Sequence, residues 1–271
     1  MKVRRRLKRL VEHGASRLGY RVIPDWRLRS LAHAQHLRQV FELLEVDTVL
    51  DVGANVGGYR RFLRAEVGFD RDVVSFEPVP SVYEALVEDA AGDPSWRGMQ
   101  VALGDADDLR SINVTSRTTM SSFLTRDETR LKGLGYQHLL DVTDVVDVER
   151  VPVRRLDSVF DEAVNGRRDA RVFLKCDTQG FDLKVIAGAV RSLSSIIALQ
   201  IELSFKPIYA GAPTYGAVLE QLTGLGFDVT GVFPVRHDEL FRIVNFDCVM
   251  VNSAHAAVVT LASRIVEGRT T

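Results

Sequence analysis

Apolar positions along this chain fall into two alternating rhythms. Short β-branched and aliphatic runs at 48–52, 73–77, 99–103, 171–176, 196–203, 227–233 and 245–251 have the composition of buried strands. Between them, runs at 57–67, 80–91, 154–164, 180–194 and 214–225 space apolar residues by three and four, which is one face of a helix. Pro80 stands near the start of its helix, where a missing N–H costs nothing. Gly188 lowers helix propensity within 180–194 and marks close packing. Alternation of this kind predicts an α/β fold, a mostly parallel sheet with helices on both faces. Right-handed crossovers then set loops 53–58, 78–80, 104–110 and 177–181 on the carboxyl edge, where such sheets bind ligands.

The flanks and one internal stretch break the rhythm. Residues 1–9 carry Lys2, Arg4, Arg5, Arg6, Lys8 and Arg9, and Val3, Leu7, Leu10, Val11 and Leu18 fall at helical spacing. A basic amphipathic helix over residues 1–22 either rests on an anionic membrane surface or packs one apolar stripe on the body. A second helix, from about Arg29 to Glu45, turns Leu31, Ala34, Leu37, Val40, Phe41 and Leu44 to one side. Residues 1–46 thus read as an N-terminal helical extension or cap, 47–253 as the main body, and 254–271 as a C-terminal helix or tail. Within the body, 104–150 is too long for a plain connection. It holds an edge-strand pattern at Ser111–Thr115, a polar run Ser116–Ser122, a charged stretch Arg126–Lys132 and a β-branched run Val142–Val148. Phe123, Leu124, Tyr136 and Leu139 supply apolar weight, so an ordered lid is expected there.

Composition narrows the classes. Among 271 residues, 35 Lys and Arg against 36 Asp and Glu leave a net charge of −1, which offers no global attraction for nucleic acid. No apolar run approaches the ~20 residues that span a bilayer, and the N-terminus lacks the apolar core of a secretory signal. Cys176 and Cys248 both lie in apolar strand-like runs, the pattern of buried free thiols in a reducing compartment. A cytoplasmic protein is expected, at the inner face of the membrane if the basic helix binds it.

The chemistry begins at Val49–Tyr59, where a strand passes through glycines 53, 57 and 58 into a helix and turns backbone N–H groups towards a ligand. The spacing Asp51-x-Gly53-x-x-x-Gly57 lacks the second glycine of the dinucleotide turn, which brings backbone against a pyrophosphate. A looser loop suits a ligand with an amino-acid tail, whose ammonium Asp51 can hold directly or through water. Glu77 is the first charge after the next buried run and can accept both hydroxyls of a ribose. The third run ends Val101-Ala102-Leu103-Gly104-Asp105 and offers an apolar place for adenine, with Asp105 as an amine partner. The plainer alternatives are a glycine turn without a ligand and a capping or solvated acid at 77.

These stretches resemble the class I S-adenosylmethionine-dependent methyltransferases, and more narrowly the FkbM family. The resemblance rests on VLDVGANVGGY (49–59), VSFEPVP (74–80), VALGDADD (101–108), SSFL (121–124), VPVRRLDSVF (151–160), LKCDTQGFDLKVIAGA (174–189) and LQIELS (199–204), in the family's order from about 40 to 252. It implies a Rossmann-like seven-stranded, mostly parallel sheet and S-adenosylmethionine as cofactor. By position, Asp51, Gly53, Asn55 and Gly57 would contact the methionine moiety, Glu77 the ribose, and Leu103 with Gly104 the adenine region. The family's Asp-x-Glu-Gly at the fourth strand stands here as Asp177-Thr178-Gln179-Gly180, so Gln179 keeps the shape and loses the charge.

Methyl transfer needs a positioned nucleophile and, for a protonated one, a base. Asp177, ending the run 172–176, is the first expectation for that role, and Glu202 the second. Two strand-end carboxylates could also bind a divalent ion. His237, in a polar loop after the sixth strand, and His138, in the lid, are further bases, though solvated loop histidines are the simpler reading of both. Lys206 and Tyr209 would line an acceptor pocket shaped by Pro207 and Pro213. The resemblance implies acceptors such as sugars, glycolipids or secondary-metabolite hydroxyls. The competing readings are a nicotinamide-dependent oxidoreductase on a similar sheet and a non-catalytic scaffold.

Overall fold

The computed structural model describes residues 24, 27–133 and 140–269. The basic segment 1–22, together with Tyr136, His138 and Leu139, lies outside the described residues. Helix α1 (Leu31–Leu44) leads into β1 (Thr48–Val52), and α2 (Gly58–Phe62) continues as a π-helical turn, Leu63–Val67. Then come β2 (Asp72–Phe76), α3 (Pro80–Ala90), β3 (Trp96–Met99), β4 (Ala102–Leu103) and β5 (Asp108–Thr115). A short helix α4 (Glu128–Gly133) and β6 (Val145–Arg154) complete the expected lid region. The second half runs α5 (Leu156–Ala163), β7 (Val172–Cys176), α6 (Asp182–Ala187), β8 (Ile196–Ser204), α7 (Tyr215–Gly224), β9 (Phe227–His237), β10 (Ile243–Asn252) and α8 (Ala256–Arg269).

Seven strands form one sheet in the order β3-β2-β1-β7-β8-β10-β9. β1, β2, β3, β7 and β8 run parallel, while β10 is antiparallel to both β8 and β9. β1 and β7 are buried along their whole length, Asp51 and Lys175 included, as central strands covered on both sides are. Strand alternation then divides the core in two. Leu50, Val74, Leu174 and Leu199 pack with Leu156 and Val159 of α5, Ile186 of α6 and Leu222 of α7. Val49, Val73, Phe173 and Ala198 instead meet Ala34, Leu37, Phe41 and Leu44, the apolar stripe of α1. Among the described residues, no helix is long and apolar enough to cross a membrane.

One strand departs from the expected pattern. The run 99–103 does not form the third strand: β3 occupies Trp96–Met99 beside β2, and Ala102–Leu103 leaves the main sheet to pair with Val153 and Arg154. That pairing builds a second, three-stranded sheet, β4-β6-β5, to which the two ends of the insertion contribute. Ile112, Val114 and Val151 of this sheet rest on Val79 and Val82 at the start of α3. The junction is tight, because a Cβ added at Gly188 would lie 1.9 Å from the carbonyl oxygen of Gly104. Gly188 therefore ends α6 where the two sheets meet.

Candidate functional site

The turn after β1 is held in left-handed backbone at Gly53 (φ 76°), Asn55 (φ 47°) and Gly57 (φ 78°). Gly53 is fixed by proximity as well as by φ: a Cβ there would sit 2.1 Å from the carbonyl oxygen of Asp177. The β1 and β7 strand ends thus close on each other, with the Asp177 N–H donating to the Val52 carbonyl at 3.1 Å. Gly57 has a different duty. Its missing side chain admits Leu86 and Asp89 of α3, at 3.0 and 3.1 Å from the position of a Cβ.

Beside the turn lies a narrow cleft of about 100 Å³, walled by Gly53, Asn55, Phe76, Glu77, Leu103, Ile112, Phe123 and Phe181. Glu77 is buried there and accepts the Asn55 N–H at 2.9 Å and the Val79 N–H at 3.0 Å. Burial nevertheless pushes its carboxyl up to about 7, with the Asp51 charge adding to the effect and the two N–H donors opposing it. Leu103 reaches the cleft although it belongs to the small sheet. Gly104 packs under Val153 and Phe181, with a Cβ position 2.7 Å from Val153. Asp105 is taken by Arg110 and Lys184, each at 2.9 Å, and lies outside the cleft wall. The polar run after β5 forms the outer wall, where Thr118 Oγ1 donates to Asn55 Oδ1 at 3.3 Å and Ser122 Oγ to the Gln179 carbonyl at 3.0 Å.

A second, larger cavity of about 330 Å³ opens on the far side of Asp177. Asp177, Gln179 and Thr119 line both spaces. Gln179, itself in left-handed backbone (φ 54°), donates through Nε2 to Asp177 Oδ1 at 2.9 Å and to Glu202 Oε1 at 3.5 Å. Tyr209 Oη donates to the Met120 carbonyl at 2.6 Å and lies 3.5 Å from Gln179 Oε1. Lys206, Tyr209, Pro207 and Pro213 all line this cavity, and Lys206 Nζ meets Asp238 at 3.1 Å. Glu202 is pushed up to about 8, first by burial and then by the charges of Asp177 and Asp247. At neutral pH it keeps its proton.

Behind Asp177 the sheet carries a polar row that apolar patterning hides. Asp51, Lys175 and Gln200 are register partners on neighbouring strands, all buried on the face that α1 covers. Lys175 Nζ sits 3.0 Å from Asp51 and 3.8 Å from Asp177, over the Tyr59 ring at 5.3 Å. Burial works against its charge, but Asp51 and Asp177 raise its pKa well above the ordinary lysine range. Gln200 Oε1 receives Tyr59 Oη at 2.9 Å and faces His33 Nε2 at 3.0 Å. Asp247, 3.8 Å from His33, is pushed up to about 7 by burial and by Asp177. Lys175, Asp247 and Asn245 were the signals to catch in the sequence, each a polar residue interrupting an otherwise apolar strand run.

The structure does not bring His237 to this site. β9 continues past the expected end at 233 to His237, which is exposed, outside the cavity lining, and near Phe241 with ring centres 6.5 Å apart. His138 lies outside the described residues. Among the described residues, no group of three or more His, Cys, Asp or Glu side chains is arranged to hold a metal ion.

A seven-stranded sheet of this order, with its antiparallel β10 and a glycine turn facing an acid at the next strand end, defines the class I S-adenosylmethionine-dependent methyltransferases. The chain belongs to the FkbM methyltransferase family, whose methyltransferase FkbM domain profile matches residues 51–229. No curated protein matches the sequence. Among solved structures, the methyltransferase FkbM from Methylobacillus flagellatus KT aligns at 15% identity and a TM-score of 0.45 over 76% of this chain and 44% of its own. This chain therefore spans less than half the length of that protein. A SAM-dependent methyltransferase from Aquifex aeolicus aligns at 15% identity and a TM-score of 0.42, covering 84% of this chain and 94% of its own. Aeropyrum pernix fibrillarin, solved with natively bound S-adenosyl-L-methionine, aligns at 14% identity and a TM-score of 0.39, covering 81% and 74% respectively.

Proposed function

We propose that this chain transfers a methyl group from S-adenosylmethionine to a hydroxyl oxygen of a sugar, glycolipid or secondary-metabolite acceptor. The observation that carries the reading is the position of Asp177, in the wall shared by the narrow cleft and the larger cavity. Its carboxyl is about one-third exposed and reaches the space where cofactor and acceptor would meet.

The cleft suits an adenosine. Phe76, Leu103, Ile112, Phe123 and Phe181 offer apolar contact for a base, and Glu77 offers a carboxylate for ribose hydroxyls. The backbone around Gly53 and Asn55 is placed for the amino-acid end, while Asp51, expected there, is buried behind it and held 3.0 Å from Lys175. When bound, S-adenosylmethionine supplies a methyl group already activated on a sulfonium. The protein's task is then alignment and proton removal. Asp177, steadied by Gln179, accepts the hydroxyl proton as the oxygen gains its methyl group. Glu202, protonated near neutrality, is suited to donate a hydrogen bond to the acceptor and not to act as the base. The reading extends to a cytoplasmic location, supported by two buried cysteines without a disulfide.

Calorimetry with S-adenosylhomocysteine and with NAD tests the cofactor, and labelled S-adenosylmethionine with host extract tests the transfer. Binding of NAD alone, or no labelled product from any extract, would overturn the reading.

A further inference from the structure

The larger cavity holds two groups that no neighbour satisfies. Arg236, on β9, lines the cavity half-buried and has neither a hydrogen bond nor an ion pair among the described residues. Its charge is felt at the Tyr209 hydroxyl across the cavity. Asn245, its register partner on β10, lines the same wall. The amide side chain of Asn245 lies against the Glu202 carboxyl, while its Oδ1 is buried without a donor. Lys206, the other cation of this lining, already faces Asp238 at 3.1 Å. The same cavity is lined by the acids Asp177 and Asp182, beyond the end of β7, and by Glu202 of β8 beside Asn245.

We propose that Arg236 and Asn245 form the acceptor-recognition face of this cavity, and that the acceptor carries an anionic group, carboxylate or phosphate, beside its hydroxyls. A guanidinium partly withdrawn from water is costly unless it meets an anion, and its planar fork of N–H donors matches carboxylate and phosphate oxygens in pairs. A buried amide oxygen without a donor is costly in the same way, and an acceptor hydroxyl is the donor it lacks. The anion at Arg236 and the hydroxyl at Asn245 orient the acceptor with its other end towards Asp177. This inference rests on the larger cavity being the acceptor site.

Three probes on the 271-residue chain test it by saturation-transfer NMR: glucose, glucuronate and glucose 6-phosphate. Both anions, or whichever of the two matches the natural group, are expected to bind at least about tenfold tighter than glucose. Arg236→Met keeps the stem and removes the charge, and should close that gap. Arg236→Lys should keep part of it, since a point charge replaces the fork. Should the methionine variant fail to fold, the lysine variant reads the same comparison. Equal binding of all three probes to the native chain, a gap that persists without the guanidinium, or no binding of either anion would overturn the proposal. S-adenosylhomocysteine is titrated in parallel and should bind all variants alike. Its failure to bind would sink the methyltransferase reading while leaving the anion comparison readable.

Discussion

Glu202 and Asp247 stand directly opposite each other across the antiparallel β8–β10 ladder. Asp177 follows the parallel neighbour β7, so three carboxyls converge where, among the described residues, only Lys175 supplies a buried cation. Such a cluster cannot ionise fully, and the two carboxyls of the ladder take the cost, at about 8 for Glu202 and about 7 for Asp247.

That arrangement makes the fold sensitive to alkali near neutrality. In the unfolded chain both carboxyls release their protons near the ordinary carboxylate range, whereas the folded chain holds them until about pH 7 to 8. The folded state therefore binds more protons across that interval, and raising the pH favours unfolding. Urea midpoints are expected to fall between about pH 5 and about pH 8, a loss on the order of 1–3 kcal/mol. Glu202→Gln should flatten the profile. A midpoint that rises over this range would contradict the assignment.

Cofactor affinity should move with pH in the other direction. Glu77 sits at about 7 in the free protein, and ribose hydroxyls prefer its ionised form as their acceptor. Binding of S-adenosylhomocysteine is expected to tighten by up to about tenfold from pH 6 to pH 8. Glu77→Gln should weaken binding and remove this dependence. Calorimetry at several pH values reads both effects.

Gly53→Ala tests the contact between the β1 and β7 ends. The added methyl would lie 2.1 Å from the Asp177 carbonyl oxygen, in backbone that L-residues rarely adopt. Neither strand end can retreat without breaking the Asp177 N–H to Val52 carbonyl bond. A loss of about 2 kcal/mol or more is expected, read as a lower thermal midpoint together with lost S-adenosylhomocysteine binding. Gly68→Ala is the control, with φ 79° and nothing within 4 Å of its added Cβ. It should show the backbone cost alone.

Most of the sheet was legible because central parallel strands are mostly apolar, and β1, β2, β7 and β8 carry that pattern within a few residues of the expected bounds. The third strand was not. Trp96-Arg97-Gly98-Met99 is a partly exposed edge with a glycine, whereas Val101-Ala102-Leu103 is more apolar and belongs to the neighbouring small sheet. Apolar runs report burial, and burial in a second sheet looks the same. The site divides likewise. Asp51, Gly53, Glu77 and Asp177 end strands or follow them directly, so chain order alone puts them at the carboxyl edge. Arg236 and Asn245 meet only through a hairpin register that shifts beside them, and spacing in sequence does not encode that.

Asp177→Asn separates proton removal from binding. The amide keeps the shape and can still face Gln179 after a flip, but it cannot accept the acceptor's proton. A fall in kcat of about 10²- to 10⁴-fold is expected, with S-adenosylhomocysteine affinity changed by no more than a few-fold. Single-turnover transfer of labelled methyl, measured beside calorimetry, distinguishes this from a merely structural role, which would lower both.

Gln179→Glu restores the acid that the family's pattern carries at this position, and its effect follows from the hydrogen bonds around it. Nε2 of Gln179 now donates to Asp177 and to Glu202. A carboxylate in its place donates to neither and adds a fourth acid to a cluster whose burial already favours bound protons. Two results follow. The lost donors and added repulsion should cost about 1–3 kcal/mol of stability above neutral pH. The added charge should also deepen that loss as the new carboxyl ionises, so the urea midpoint falls further below that of the native chain at pH 8 than at pH 6. Gln179→Leu has the same missing donors without the charge, and should lose the same stability at both pH values. If the two variants show the same pH dependence, the amide serves only to fill space between the two carboxyls.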